Sequence, residues 1–281
     1  MNAKIAELEL KSIHYRRAIL TCIARAGAGH TGGSLSCVDI LNVLYNAVLR
    51  VDPAHPTWPD RDRYVHSKGH AVETLYVILA DKGYYPAAML ETMEKAGSHW
   101  VGHPTRKVPG VEHNTGALGH GLSAGVGMAL AARKDGRPYR VFVLLGDGEL
   151  TEGSVWEASM SASFYKLDNL VAIVDRNTLQ ITGRTEDVMA LEPLAERFAA
   201  FGYAVRTVPG HDIAALLEVF SQVPFAPGKP SLILAQTVKG KGVSFMEDAV
   251  EWHHRVPTDA ELQVALAELD EAERRWRERY G

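Results

Sequence analysis

Hydrophobic side chains recur with helical spacing through much of the first half of the chain. Residues 3–26, 36–49 and 71–83 carry apolar positions three or four residues apart, which predicts three helices. The segment 28–34, AGHTGGS, lies between the first two and is too rich in glycine to belong to either. Residues 97–120 form a long stretch rich in Gly, Pro and His, and a loop of this kind is usually functional.

The pattern changes in the second half, where short apolar runs alternate with amphipathic segments. The runs at 140–145, 170–174, 203–208 and 231–236 predict buried strands. Strands that alternate with helices form a parallel sheet with helices on both of its faces. We therefore predict an α/β fold, followed by a charged amphipathic helix that begins near Thr258.

A chain of 281 residues is long enough to bury a core within one domain. We expect a single domain over residues 1–281. Its parts are a helix-and-loop region at 1–110, a strand–helix core at 111–245, and a C-terminal loop and helix at 246–281.

Charge and composition exclude several classes of protein. The chain has 30 Lys and Arg against 34 Asp and Glu, a balance that does not favour binding to nucleic acid. The first residues lack the apolar core of a signal peptide, and no apolar run approaches the length of about 20 residues that a membrane span needs. Cys22 and Cys37 are not spaced for metal binding, and we expect two buried thiols. We expect a soluble, cytoplasmic protein.

Oxygen-bearing side chains follow two consecutive predicted strands. Asp147 lies in a Gly-Asp-Gly segment after the first strand, and Asn177 comes just after the next. The carboxyl ends of neighbouring parallel strands lie at one edge of the sheet, where open α/β sheets bind ligands. A carboxylate, an amide oxygen and a nearby backbone carbonyl suit Mg²⁺, which retains open positions for phosphate oxygens.

Two other motifs point to different chemistry. Residues 119–124 fit the dinucleotide fingerprint GxGxxA, but the preceding segment contains Pro and Gly and is a poor strand. The pairs His66/His70 and His99/His103 have a spacing that binds zinc on a helix, but neighbouring Gly and Pro residues disfavour helices there.

The segment from Gly146 to Asn177 resembles the thiamine-diphosphate motif, which begins with GDG and ends with Asn about thirty residues later. Further segments, in the same order, resemble the N-terminal half of transketolase: AGHTGGS, SKGH, GHP, PGVEHNTGALGHGLSAGVGMALA and TVKGKGVSFMED. The resemblance covers nearly the whole chain. It implies a thiamine-diphosphate-binding fold, specifically the diphosphate-binding domain, and transfer of a two-carbon ketol unit between sugar phosphates.

The resemblance also implies the residues that hold the cofactor. Asp147, Asn177 and the backbone of Leu179 would bind Mg²⁺, with Ca²⁺ or Mn²⁺ as possible substitutes. The start of the helix at 121–133 would favour the diphosphate anion, with His120 on the same side. The residues implied for thiamine diphosphate are His70, Gly116, Leu118, Gly119, Gly146, Asp147, Gly148, Glu149 and Asn177.

Four histidines match the substrate-channel histidines of transketolases: His30, His70, His103 and His253. The resemblance implies that they contact the donor sugar and help to move protons. Ketol transfer needs proton donors and acceptors near neutral pH, and imidazole is the side chain best suited to that task. The family usually has Gly after the last of these histidines, whereas this chain has His254, so the two could exchange roles.

In the family, the glutamate that activates the cofactor lies in a second, pyrimidine-binding domain, for which this chain has no room. The resemblance therefore implies the N-terminal subunit of a split transketolase. The C-terminal subunit would complete the active site in an α2β2 assembly, with Glu152 and Glu157 at the interface. Two alternatives remain: the α subunit of a 2-oxo acid dehydrogenase, and a cofactor-binding paralogue without activity. The donor and acceptor sugars stay open.

Overall fold

Five parallel strands form the centre of the computed structural model, which describes residues 2–281. Their order across the sheet is β1-β2-β3-β7-β6, and a short antiparallel hairpin, β4–β5, follows β3. The strand bounds are β1 Arg63–His66, β2 Val141–Gly146, β3 Leu170–Arg176, β4 Leu179–Gln180, β5 Gly183–Arg184, β6 Ala204–Pro209 and β7 Ser231–Gln236.

Helices precede, connect and follow these strands. Their bounds are α1 Asn2–Ala26, α2 Thr31–Ser36, α3 Val38–Val43, α4 Val72–Asp81, α5 His120–Lys134, α6 Gly153–Phe164, α7 Thr185–Val188, α8 Leu194–Ala200, α9 Ile213–Ser221 and α10 Asp259–Tyr280. Within residues 2–281, none of these helices combines the length and the apolar character that crossing a bilayer requires.

Alternate side chains of the sheet enter two separate cores. On β2, Phe142 and Leu144 pack with helices α1, α3, α4 and α9, whereas Val143 and Leu145 pack with α5, α6 and α8. A parallel sheet buried on both faces explains why its strands are continuous apolar runs in the sequence. The predicted α/β fold, with a parallel sheet between helices, is confirmed.

The N-terminal half differs from the prediction in two places. Residues 28–34 were expected to lie outside any helix, yet Thr31–Ser36 is helical. Packing explains this helix, because a Cβ atom at Gly32 would lie 2.8 Å from the Trp252 carbonyl oxygen. Tertiary contacts at such close range override the weak helix propensity of glycine. The helix predicted over 36–49 begins at Val38 and ends in a π-helical turn.

The second difference is a strand that the apolar pattern did not predict. Arg63–His66 forms β1 at one edge of the sheet and pairs with β2. It has only four residues, and both terminal residues are polar. Pairing with a buried neighbour, rather than hydrophobic periodicity, stabilises this strand.

The register of the sheet brings the predicted metal residues together. Gly146 at the end of β2 pairs with Asp175 near the end of β3. Asp147 and Asn177 therefore leave adjacent strands at the same edge, as predicted. At the far side of the sheet, β6 is an edge strand that carries Arg206 and ends on Pro209.

Candidate functional site

A cleft of about 400 Å³ opens at the carboxyl ends of the strands. It contains almost every residue that the sequence singled out, together with several that it did not. The lining residues are His30, Lys68, His70, His103, Gly116, Leu118, Gly146, Asp147, Gly148, Glu149, Thr151, Glu152, Asn177, Leu179, Gln180, Ile181, Lys239 and His253.

Asp147 is buried at the floor of this cleft. Its Oδ1 accepts the Gly148 N–H at 2.8 Å, and its Oδ2 accepts the Thr178 N–H at 2.6 Å. Thr178 has a φ of 65°, a left-handed conformation that is rare for a β-branched residue and common at functional sites. Burial raises the pKa of the Asp147 carboxyl above its ordinary value, so a bound cation would stabilise its ionised form.

Arg176 is a cationic neighbour of Asp147 that sequence reasoning missed. Its Nη1 donates to Asp147 Oδ2 at 3.1 Å and to the Thr185 hydroxyl at 2.6 Å. Its Nη2 contacts Glu186 and Glu192 at 2.8 and 3.0 Å. One guanidinium thus joins the end of β3 to the loop around α7. The only sequence feature that points to Arg176 as part of this site is its position immediately before Asn177.

Asn177 and Leu179 complete an oxygen-rich set of donors. Asn177 Oδ1 accepts the Leu179 N–H at 3.2 Å, and the Leu179 carbonyl oxygen accepts a hydrogen bond from Lys239 Nζ at 2.8 Å. Lys239 lines the cleft, so this carbonyl faces the cleft and already attracts a cation. A carboxylate, an amide oxygen and a carbonyl are the hard ligands that Mg²⁺ prefers, and the donor set fits that ion.

Glu149 has a structural position that the resemblance did not indicate. Its carboxylate is buried, and it accepts the N–H groups of Gly119 and Gly146 at 2.9 and 3.0 Å and the Ser67 hydroxyl. Burial raises the pKa of this carboxyl. Glu149 therefore connects the glycine-rich turn before α5 to the end of β2, and sets the shape of the cleft on that side.

The turn before α5 requires glycine because of close approaches. A Cβ atom at Gly116 would lie 2.8 Å from the His103 ring, and one at Gly119 would lie 2.6 Å from the Glu152 Cβ. Both glycines also have positive φ. Gly119 itself does not line the cleft, and His120 is exposed at the start of α5 outside the lining set.

A buried ion pair lies beneath the cleft. Lys68 Nζ contacts Asp175, and it also donates to the Gly33 carbonyl at 3.0 Å. Burial opposes the charge of Asp175, but Lys68 outweighs it and holds the pKa of this carboxyl below its ordinary value. The pair connects α2 with the end of β3, and so fixes the segment that carries His30 relative to the segment that carries Asn177.

The four predicted histidines lie together. The His30 ring centroid is 5.2 Å from that of His70, 5.8 Å from His253 and 6.2 Å from His103. His70 and His253 stack at 5.5 Å. His254 lies 4.4 Å from His30, but it is exposed and does not line the cleft, so His253 is the one that faces inward.

Burial controls the charge of this histidine cluster. It lowers the pKa of His30 to about 4 and that of His253 to about 3, with smaller effects from neighbouring cations and imidazoles. The pKa of His70 is also well below its ordinary value, for the same reason. Burial therefore keeps these three residues uncharged at pH 7.

Lys239 connects the two halves of the cleft. Its ammonium group contacts the Leu179 carbonyl and lies 2.9 Å from His253 Nδ1. Burial lowers the pKa of Lys239 to about 8, and the charge of Lys68 contributes in the same direction. Lys239 lies in the segment TVKGKG, which resembles transketolase in sequence. That resemblance implies no role for this lysine.

The alternative motifs do not form the zinc and dinucleotide sites that their spacing allows. Both ring nitrogens of His66 are used internally, at 2.7 Å from the Tyr64 hydroxyl and 2.9 Å from the Ala71 carbonyl. Within residues 2–281, no group of three His, Cys, Asp or Glu side chains is arranged to hold a metal. The motif at 119–124 follows a loop rather than the strand that a dinucleotide site requires.

Known proteins resemble this chain in sequence and in fold. A family described as "Transketolase, thiamine diphosphate binding domain" matches residues 9–269. An apulose-4-phosphate transketolase subunit of Phocaeicola vulgatus is 48% identical over 268 residues, which cover 95% of each chain. A 6-deoxy-6-sulfo-D-fructose transketolase subunit of a Clostridium species is 41% identical over 271 residues, covering 96% of this chain and 98% of that one.

Solved structures of transketolases also resemble this chain in fold. A transketolase from Campylobacter jejuni superimposes with a TM-score of 0.83 at 30% identity. The match covers 97% of this chain and 48% of that one, so the present chain spans about half the length of that enzyme. The chain belongs to the transketolase family, in which it corresponds to the thiamine-diphosphate-binding domain.

Proposed function

We propose that this chain is the N-terminal subunit of a two-chain transketolase. It acts with thiamine diphosphate and Mg²⁺ to transfer a two-carbon ketol unit from a ketose phosphate to an aldose phosphate. The observation that carries this proposal is one cleft in which an oxygen donor set and a histidine cluster meet at Lys239.

The donor set fits the metal and the diphosphate of the cofactor. Asp147, Asn177 and the Leu179 carbonyl would hold Mg²⁺, while Gly116 and Leu118 line the side nearest α5. When bound, thiamine diphosphate supplies the carbanion stabilisation that carbon–carbon cleavage requires. The buried carboxyl of Asp147 would be ionised beside the metal, and Arg176 orients it through Oδ2.

The histidine cluster suits contact with hydroxyl groups. Neutral imidazoles both donate and accept hydrogen bonds, so His30, His70 and His253 bind sugar hydroxyls without adding charge to a buried cleft. Lys239 contacts Nδ1 of His253, which leaves Nε2 of that ring for the substrate. Because the Lys239 ammonium can only donate, Nδ1 accepts from it, and the neutral ring carries its proton on Nε2, which donates a hydrogen bond to a substrate oxygen.

We propose a partner subunit that supplies the pyrimidine-binding domain and its glutamate, in an α2β2 assembly. The similar proteins from Phocaeicola vulgatus and Actinobacillus succinogenes are both named as one subunit of an apulose-4-phosphate transketolase. Helix α6 exposes Glu157 together with two apolar side chains, Met160 at 61% and Phe164 at 78% exposure. Exposed apolar side chains of this size are typical of association surfaces. Glu152 lines the cleft near the start of the same helix.

The family assignment favours transketolase over the 2-oxo acid dehydrogenase alternative. Apulose 4-phosphate and 6-deoxy-6-sulfofructose are named for two similar proteins, and we propose a donor among ketoses of that kind. We place the enzyme in the cytoplasm.

The test is a ketol-transfer assay on the purified chain, with and without the protein encoded immediately downstream. We expect activity only after mixing, with co-elution of the two chains from a sizing column. Full activity of the chain alone would contradict the two-chain proposal. Tight pairing of the two chains without Mg²⁺-dependent binding of thiamine diphosphate, measured by calorimetric titration, would instead indicate a paralogue without activity.

A further inference from the structure

Glu73 is a buried carboxyl group that the proposed function does not use. It lies on α4, three residues after His70, and is 1% exposed. Among residues 2–281, no Lys or Arg lies within ion-pair distance of it. Burial of an unpaired carboxylate is costly, so its retention at this position calls for a compensating role.

Both oxygens of Glu73 contact the segment that carries His30. Oε1 accepts the His30 N–H at 3.3 Å, and Oε2 accepts the Ser34 hydroxyl at 2.6 Å. The side chain of His30, at the start of α2, caps no backbone N–H of this helix. The fit is close, because a Cβ atom at Gly29 would lie 2.6 Å from Glu73 Oε1.

This geometry joins two separate pieces of the histidine cluster. His30 precedes α2, whereas His70 lies in the 3-10 turn that leads into α4, and their rings are 5.2 Å apart. We propose that Glu73 is a positioning residue that fixes His30 against His70 through the hydrogen bonds that it accepts from the His30 N–H and the Ser34 hydroxyl. The inference rests on the proposed function only in assuming that these histidines contact the substrate.

The surroundings of Glu73 contain few charges. Cys22 on α1, His30 before α2, Tyr76 on α4 and Glu94 after α4 are the titratable groups that face it. Burial raises the pKa of Glu73 to about 7, although the hydrogen bond from Ser34 acts against this rise. The folded chain therefore holds this proton to a higher pH than the unfolded chain does. The contribution of Glu73 to the free energy of unfolding falls as pH rises from about 4.5 to 7.

Two substitutions separate the hydrogen bonds from the charge. Glu73→Gln keeps both contacts, since its amide oxygen accepts the His30 N–H and its amide nitrogen donates to the Ser34 hydroxyl. Glu73→Ala removes both. Thr74→Val is the matched control, because the Thr74 hydroxyl donates to the Ser34 carbonyl at 2.6 Å and so holds the same helix without contacting His30.

The first measurement is the NMR spectrum of the histidine side chains in the purified full chain. We expect Glu73→Ala to shift the His30 and His70 imidazole signals, and Glu73→Gln and Thr74→Val to leave them near their original positions. We also expect Glu73→Gln to raise the melting temperature more at pH 8 than at pH 5, because the glutamine does not ionise.

The second measurement is ketol transfer in the assembled enzyme. We expect Glu73→Ala to lower kcat by about 10-fold with little change in KM, and Glu73→Gln to restore it to within about 3-fold. Unshifted His30 signals in Glu73→Ala overturn the proposal, whether or not the assembly transfers a ketol unit. Equal losses of kcat in the Ala and Gln variants also overturn it. Absence of ketol transfer by the unmodified assembly instead contradicts the proposed function, while the NMR comparison still decides the role of Glu73.

Discussion

The proposed metal end of the cleft, formed by Asp147, Asn177 and Leu179, and the histidine cluster are assembled in different ways. The donors Asp147, Asn177 and Leu179 follow two adjacent strands, β2 and β3, and the register of the sheet places them together. The histidines come from four separate segments, and helices, a buried ion pair and Lys239 hold them in place. One region is therefore a property of the sheet, and the other is a property of the packing around it.

Burial shifts the pKa values of the two regions in opposite directions. Burial raises the pKa of Asp147 and Glu149, and it lowers the pKa of His30 and His253. In both regions the charged form is disfavoured. The carboxylate end therefore gains from a bound cation, whereas the histidine cluster remains neutral and suits uncharged hydroxyls.

The largest expected effect comes from the metal end. Asp147→Ala removes the carboxylate and leaves Arg176 without this partner, so the Mg²⁺-dependent affinity for thiamine diphosphate should fall by about 100- to 1000-fold. Calorimetric titration in the presence of the partner subunit measures this affinity. Asp135→Ala, at an exposed carboxylate beyond α5, is the control. An unchanged affinity in Asp147→Ala rules out the assigned metal site.

The next effect separates the histidine cluster from the metal end. His103→Ala should lower turnover by about 100-fold, because a group that orients the substrate or transfers a proton is lost. The affinity for the cofactor should stay nearly constant, and His55→Ala, at an exposed side chain, should change neither quantity. Loss of cofactor binding in a correctly folded His103→Ala variant would show that the two regions are not separable.

Lys239→Met tests the contact between the two regions. The variant removes the ammonium group that contacts both the Leu179 carbonyl and His253. Cofactor affinity and turnover should therefore each fall by about 10-fold. The pKa of His253 should rise, since the charge of Lys239 helps to lower it, yet burial should keep it below its ordinary value. NMR titration measures this pKa, and an unmoved value contradicts the coupling.

The smallest effect is on the pH dependence of folding. The folded-state pKa of His30 lies near 4, so between about pH 6.5 and 4 the unfolded chain binds more protons, and stability falls as pH falls. His30→Asn should reduce the slope of the free energy of unfolding against pH. The reduction should correspond to at most one proton bound on unfolding. Denaturant titrations from pH 7 to 4.5 measure it, with His99→Asn, at an exposed side chain, as the control. An equal slope in His30→Asn and the unmodified chain contradicts the low pKa.

The sequence predicted the fold best where apolar runs are long. Strands β2, β3 and β7 are buried on both faces, and their sequences show this directly. Strand β1 was missed because four residues with polar ends carry no periodic signal. Helix α2 was missed because Gly32 is required by close packing against Trp252 rather than by a turn.

The site was predicted through motifs, and its supporting residues were not. Asp147 and Asn177 could be inferred from strand ends, and the histidines from resemblance to transketolases. Lys68, Arg176 and Glu73 act through contacts between segments far apart in the sequence, such as Lys68 with Asp175. No local pattern identifies such partners, because a buried lysine and an exposed one look alike in a sequence.

The edge of the sheet formed by β6 limits how copies of this chain can associate. Strand β6 ends on Pro209, which has no N–H to donate, and it carries Arg206, whose guanidinium lies 5.3 Å from the Phe225 ring centroid. Charged residues and proline discourage the addition of another strand to an exposed edge. A sheet that continues from one molecule into the next, as in fibrillar aggregates, is thus disfavoured at this edge, while the side chains exposed on α6 remain accessible to a folded neighbour.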